Sequence, residues 1–206
     1  ALIVAALHGG EHGAGMMRLL VDAGADVHKQ SNSGSTALMV TAQFGGKHGA
    51  GMMRFLVDAG ADANKQDVHG QTALMYTAKY GREHAAGMMR SLINNGADTN
   101  KQSNSGSTAL MVAAQWGREH GEGMISLLLD AGADANKQDK VGSTALMVAA
   151  RYGGEHAAGM MRLLVDAGAD ANKQDEDGWT ALMAVTEHGG EHGAGMMRLL
   201  VDAGAD

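Results

Sequence analysis

The side chains best placed for chemistry are histidines. His8-Gly9-Gly10-Glu11-His12 and His188-Gly189-Gly190-Glu191-His192 share the spacing H-x-x-E-H. On one face of a helix that spacing offers a zinc ion two imidazoles beside a carboxylate that can activate water. Here glycines fill the helical positions between the two histidines, and the first histidine sits in a column that elsewhere holds Phe, Tyr or Trp. A second set, His12, His48, His84, His120, His156 and His192, recurs once every 36 residues. Neighbouring helices pack ~8–10 Å apart, whereas zinc needs its nitrogens at ~2 Å, so successive rungs do not share an ion. The expectation is that each of these histidines closes the start of a helix by bonding a neighbouring repeat's loop, so that acid loosens the stack. Asp22, Asp58, Asp130, Asp166 and Asp202 read as a solvated face. No phosphate loop, nucleophile elbow or spaced carboxylate pair occurs. No catalytic residue, metal ligand or cofactor is assigned, and an enzyme is the least favoured reading.

These residues are carried by a single repeated unit. Copies begin at Ser31, Asp67, Ser103, Asp139 and Asp175, always 36 residues apart. The chain therefore reads as one array over residues 1–206: a partial copy at 1–30, full copies at 31–66, 67–102, 103–138 and 139–174, and a partial copy at 175–206. A fixed period in this range marks an architecture of stacked units that touch only their neighbours.

Composition narrows the function classes. Apolar residues make up 45% of the chain, enough for a buried core. The formal charge of −7, without runs of Lys or Arg, disfavours a phosphate backbone as partner. No apolar run approaches the length of a membrane span. With no cysteine, disulfide frameworks and thiolate metal sites are ruled out. The compartment is left undetermined, with a lean to the cytosol. No signal peptide is visible, although the sequence starts part-way through a copy.

Within the copy 67–102, Asp67-Val68-His69-Gly70 is turn chemistry. Thr72 is placed to cap a helix over residues 73–80, which Gly81 is expected to end as a left-handed residue. Glu83-His84 opens a second helix, with the carboxylate at its positive end. Met88, Met89, Leu92 and Ile93 form its apolar arc, and Gly96 stops it. The segment 97–102 is a polar connector. All sixteen methionines fall in three columns of the repeat and read as core filler.

The string D-x-x-G-x-T-A-L-M-x-A-A-x-x-G, then L-L-x-x-G-A-D-x-N, clearest from Asp139 to Asn172, resembles the ankyrin repeat. The resemblance covers the whole chain and implies an all-α solenoid of helix-turn-helix repeats. Two departures stand out. Thr-Ala-Leu-Met replaces the family's Thr-Pro-Leu-His, so the proline and the side-chain bonds of that histidine are lost. The period also exceeds the usual ~33 by about three residues. The surplus falls in Gly-x-Glu-His-x-x-Gly, and is expected to add a turn to the start of helix two; a longer inter-helix loop is the alternative.

In the ankyrin family, turn tips and the ends of helix one line a concave face where partners bind. In this chain those columns are the ones that vary. They yield Phe44, His69, Gln71, Lys79, Tyr80, Gln115, Trp116, Arg151, Tyr152 and Trp179 as candidate partner-binding residues. Phe44, Tyr80, Trp116 and Tyr152 share one column, which is either a ladder of interface anchors or packing that shields the inter-helix groove. The expected function is a non-catalytic scaffold for a protein partner, with no role for nucleic acid or membrane. The alternative is a structural segment of a longer array, or a filament joined through its apolar, uncapped ends.

Overall fold

The computed structural model describes residues 1–8 and 10–206. Two compact units emerge, residues 1–104 and residues 105–206. In the first, α1 (Leu2–His8), α3 (Ala37–Phe44) and α5 (Ala73–Tyr80) alternate with α2 (Gly13–Asp22), α4 (Gly49–Asp58) and α6 (Ala85–Asn94). The short helices α1, α3 and α5 pack side by side as one layer, α2, α4 and α6 as the other, and each short helix also packs on the long helix of its own repeat. The second unit repeats the arrangement. There α7 (Ala109–Trp116), α9 (Ala145–Tyr152) and α11 (Ala181–His188) form one layer, and α8 (Gly121–Asp130), α10 (Ala157–Asp166) and α12 (Gly193–Asp202) the other. All regular structure among the described residues is helical, and no helix is long and apolar enough to cross a membrane.

The short helices α3, α5, α7, α9 and α11 each start just after a threonine. Thr72 is extended (φ −98°, ψ 167°), and its Oγ1 accepts the Met75 amide at 3.4 Å. That satisfies one of the amides a helix start leaves without an intrahelical partner. The TALM sequence retains part of what a histidine would supply. Met39 Sδ accepts the Thr36 amide at 3.4 Å, and Met147 Sδ accepts the Thr144 amide at 3.5 Å, with a thioether as a weaker acceptor than an imidazole.

The junction between the helices differs from the sequence expectation. Gly81 is right-handed (φ −69°, ψ −23°), and the left-handed residue is the next one, Arg82 (φ 46°). The reversal at Arg82 breaks the α ladder, and Arg82–His84 closes as a 3-10 turn with the His84 amide on Gly81 O at 2.9 Å. The surplus residues do add a turn ahead of the long helix, but a 3-10 turn set off by a left-handed residue rather than a continuation of the α-helix. The long helix ends as anticipated: Gly96 (φ 80°) carries its amide to Ile93 O, and Ala97 its amide to Leu92 O.

The core lies between the layers. Leu38, Met39, Leu56, Leu74, Met88, Met89 and Leu92 are almost wholly buried in the first unit, and Leu110, Ile125, Leu128, Leu146, Met160 and Leu164 in the second. The methionine columns are core as expected, except that Met16 and Met183 are exposed and Met197 is half-buried.

Polar side chains stitch one repeat to the next. The Gln66 amide reaches Gln102 O at 2.9 Å. Asn64 donates to Gly96 O at 2.8 Å while accepting the Asp98 amide at 2.7 Å. The Asn104 amide meets His69 O at 2.9 Å. The connector 97–102 therefore both accepts from and donates to the preceding repeat, at Gln102 O and the Asp98 amide, rather than serving as a passive link.

Candidate binding face

The turn tips are held by their own aspartates. Asp67 Oδ1 accepts the amides of His69 and Gln71, both at 2.9 Å, which leaves the His69 side chain exposed and Gln71 half-buried. Asp175 does the same for Asp177 and Trp179, and Trp179 is half-buried. The helix-one ends stand beside these tips. Phe44, Tyr80, Trp116 and Tyr152 are 36–53% exposed, whereas Met39, Met75, Met111 and Met147 on the same helices are 1–3% exposed. The aromatic column is therefore at the surface, not sealed between helices.

Some of the sequence-predicted residues meet. In the first unit, Lys79 Nζ lies 5.2 Å from the centre of the Tyr80 ring, within cation–π reach. In the second, Gln115, Arg151 and Tyr152 line one groove of about 180 Å³, together with Asp139, Val112 and Val148. Arg151 Nη2 is 3.9 Å from Asp175 Oδ2. Phe44, His69 and Gln71 are not part of that groove, nor is Trp179.

Tyr76 was not legible as a site residue. Its hydroxyl donates to Asp67 Oδ2 at 2.9 Å, and its ring lies 5.9 Å from that of Tyr80. Two signals were present: it is one helical turn from Tyr80, and it stands where copies one, two, four and five have Val. Burial pushes the Tyr76 hydroxyl up to about 12, helped by the hydrogen bond to Asp67. A phenol held neutral above its ordinary value stabilises the fold fully below pH ~10, and that stabilisation is lost as pH rises towards 12. Tyr76→Phe is expected to lower stability by about 1 kcal/mol at neutral pH. The gap to the unaltered chain should then close between pH 10 and 12 in melting experiments.

Among the described residues the histidine ladder makes no bond to a neighbouring loop. His84, His120, His156 and His192 each place Nε2 3.6–3.7 Å from the glutamate just before them, and none caps its helix through the side chain. The 3-10 turn brings that carboxylate alongside, so the premise for loosening by acid falls away. Glu119 is held below the usual carboxylate range by its own backbone amide, with His120, His156 and Arg118 adding to the effect.

The two H-x-x-E-H segments fare no better as zinc sites. His188 faces Glu187 at 3.4 Å and His192 faces Glu191 at 3.6 Å, so the two imidazoles have separate partners. The His8–His12 copy includes residue 9 and lies partly outside the described residues. Among the described residues no three His, Asp or Glu side chains gather where they could hold a metal ion.

A family model for ankyrin repeats, in three copies, matches residues 2–86, 47–139 and 119–206. The chain belongs to the ankyrin-repeat family. Solved structures similar to this ankyrin chain include an ankyrin repeat domain from Acinetobacter baumannii AYE, at 26% identity and a TM-score of 0.83, covering 100% of this chain and 98% of that one. The ankyrin repeat domain of Bcl-3, a member of the IkappaB protein family, matches at 27% identity and 0.76, covering 100% and 86%. A chain of the complex between the predatory endopeptidase Bd0816 of Bdellovibrio bacteriovorus and immunity protein Bd3460 matches at 25% identity and 0.75, covering 98% and 97%. No curated protein matches the ankyrin chain significantly in sequence. Ankyrin repeats are in general protein-interaction modules, and the ankyrin fold is generally non-enzymatic.

Proposed function

We propose that the chain is a non-catalytic scaffold that binds a protein partner through the face made by its turn tips and helix-one ends. The observation that carries this reading is the exposed aromatic column. Phe44, Tyr80, Trp116 and Tyr152 are part-exposed at the ends of helices whose leucines and methionines are buried. Large apolar rings beside polar neighbours supply contact area at small entropic cost and are the usual anchors of interfaces. Lys79, Gln115 and Arg151 precede three of these rings and vary from copy to copy, as do His69, Gln71 and Trp179 at the tips. The repeated frame thus holds the varied residues, and partner choice rests on them.

Affinity capture with the chain as bait, repeated with Tyr80→Ala and Trp116→Ala, tests the reading. Each substitution is expected to weaken the captured partner about thirtyfold, the effect of an anchor worth about 2 kcal/mol. Both variants are expected to stay folded in melting experiments, because neither ring is among the buried core residues. Variants that unfold while leaving affinity per folded molecule intact would assign the column to packing instead.

A further inference from the structure

The three turn aspartates perform one task alike and a second task differently. Each holds two amides of its own turn on Oδ1. Asp67 takes His69 and Gln71, Asp139 takes Val141 at 3.1 Å and Ser143 at 2.9 Å, and Asp175 takes Asp177 and Trp179. The other oxygen distinguishes them. Asp67 Oδ2 receives the Tyr76 hydroxyl at 2.9 Å, and Asp175 Oδ2 has Arg151 at 3.9 Å. Asp139 has neither kind of partner among the described residues. Val148 stands where copy three has Tyr76, and Gln115 stands where copy five has Arg151. Both replacements lie in the wall of the groove into which Asp139 opens.

We propose that this groove receives an arginine or lysine side chain from the bound protein, whose cationic head meets the Asp139 carboxylate. The inference rests on the reading of this face as the binding face, and it names the chemistry that one part of the face selects. An occupant that covered the groove without a donor would strip water from a carboxylate oxygen and leave it unpaired, a costly arrangement. A basic side chain makes a charge-assisted hydrogen bond there. Its aliphatic stem lies against Val112 and Val148, beside the Tyr152 ring. Arg151 reaches the same groove, but its guanidinium already has Asp175, whose side chain is only 9% exposed. The chain's net charge of −7 favours a basic partner at long range.

The copies themselves supply variants that the frame tolerates. Asp139→Ser installs the residue that copies two and four carry as Ser31 and Ser103, and Gln115→Arg installs the internal cation of copy five. A random-peptide phage library is panned on the full chain, and the selected peptides are titrated against the chain and both variants. The expected result is a consensus with Arg or Lys at one position. Changing that position to alanine, or moving to either variant, should weaken binding at least about tenfold with the melting temperature unchanged. Peptides that are lost on Tyr152→Ala but lack a basic position, or ignore Asp139→Ser and Gln115→Arg, would overturn this inference and leave the binding face standing. An acidic consensus would also overturn it, in favour of Arg151. A library that yields no binder at all would count against both.

Discussion

Gly81→Ala is expected to lower stability by about 3 kcal/mol, whereas Arg82→Gly, one residue on, is expected to raise it by about 1 kcal/mol. Gly81 has a φ of −69°, which any residue adopts, so conformational freedom is not what requires glycine there. Space is. A Cβ would lie 2.6 Å from Thr77 O and 2.8 Å from Ala85 Cα. Both are backbone atoms of the helices that the junction joins, and neither can move without parting α5 from α6. Arg82 is the opposite case. Its φ of 46° is left-handed, as is that of Gly46, Gly154 and Gly190 in the same column. At Gly46 and Gly154 a Cβ would meet nothing within 4 Å. The arginine is therefore strained but not crowded. Glycine removes the strain and returns a smaller part of the gain as unfolded-state entropy. Urea unfolding at unchanged m-value reads both changes. A mild Gly81→Ala together with a damaging Arg82→Gly would mean that the junction turns at residue 81 instead.

That pair of positions also marks where the sequence stops being informative. The short helix over Ala73–Tyr80 was legible from its threonine cap and apolar run, although Gly81 ends it without the left-handed turn expected of it. The start of the long helix was not. Gly-x-Glu-His suits a loop or a helix, and the handedness of one residue decides between them. The threads that join repeats were illegible for another reason. Gln66 and Asn64 bond groups 32 to 36 residues away, and a column that hardly varies reads as frame rather than as contact. The exposure of the aromatic column was one of two readings left open, since ring and spacing alone do not say which way a helix end faces. Tyr76 sits in a column that otherwise holds small apolar residues, and nothing in the sequence pairs it with Asp67. The same bond marks out Asp139, whose second carboxylate oxygen has neither the tyrosine that Asp67 meets nor the arginine that Asp175 meets.

Leu92→Ala is expected to cost about 3 kcal/mol, Leu92→Met less than about 1.5 kcal/mol, and Leu19→Ala less than about 0.5 kcal/mol. Leu92 is fully buried on α6, as Leu56 is on α4, and these two helices pack on each other and on the short helices of their own repeats. Truncation removes roughly three buried carbons, about 2.4 kcal/mol of transfer free energy, and leaves a cavity that adds to it. Met88 and Met89, buried one turn before Leu92, are flexible enough to fill part of that cavity, which keeps the cost below the top of the usual range. Leu19 is 72% exposed on α2 and has little burial to lose, although the sequence gives it the same apolar character. Because stacked repeats are held by their nearest neighbours, amide exchange in Leu92→Ala should quicken first in α6 and in α4 and α5, which pack against it. Exchange that quickened evenly over all of α1 to α6, or a cost for Leu92→Ala no larger than that for Leu19→Ala, would show that burial between neighbouring helix pairs is not what holds the unit together.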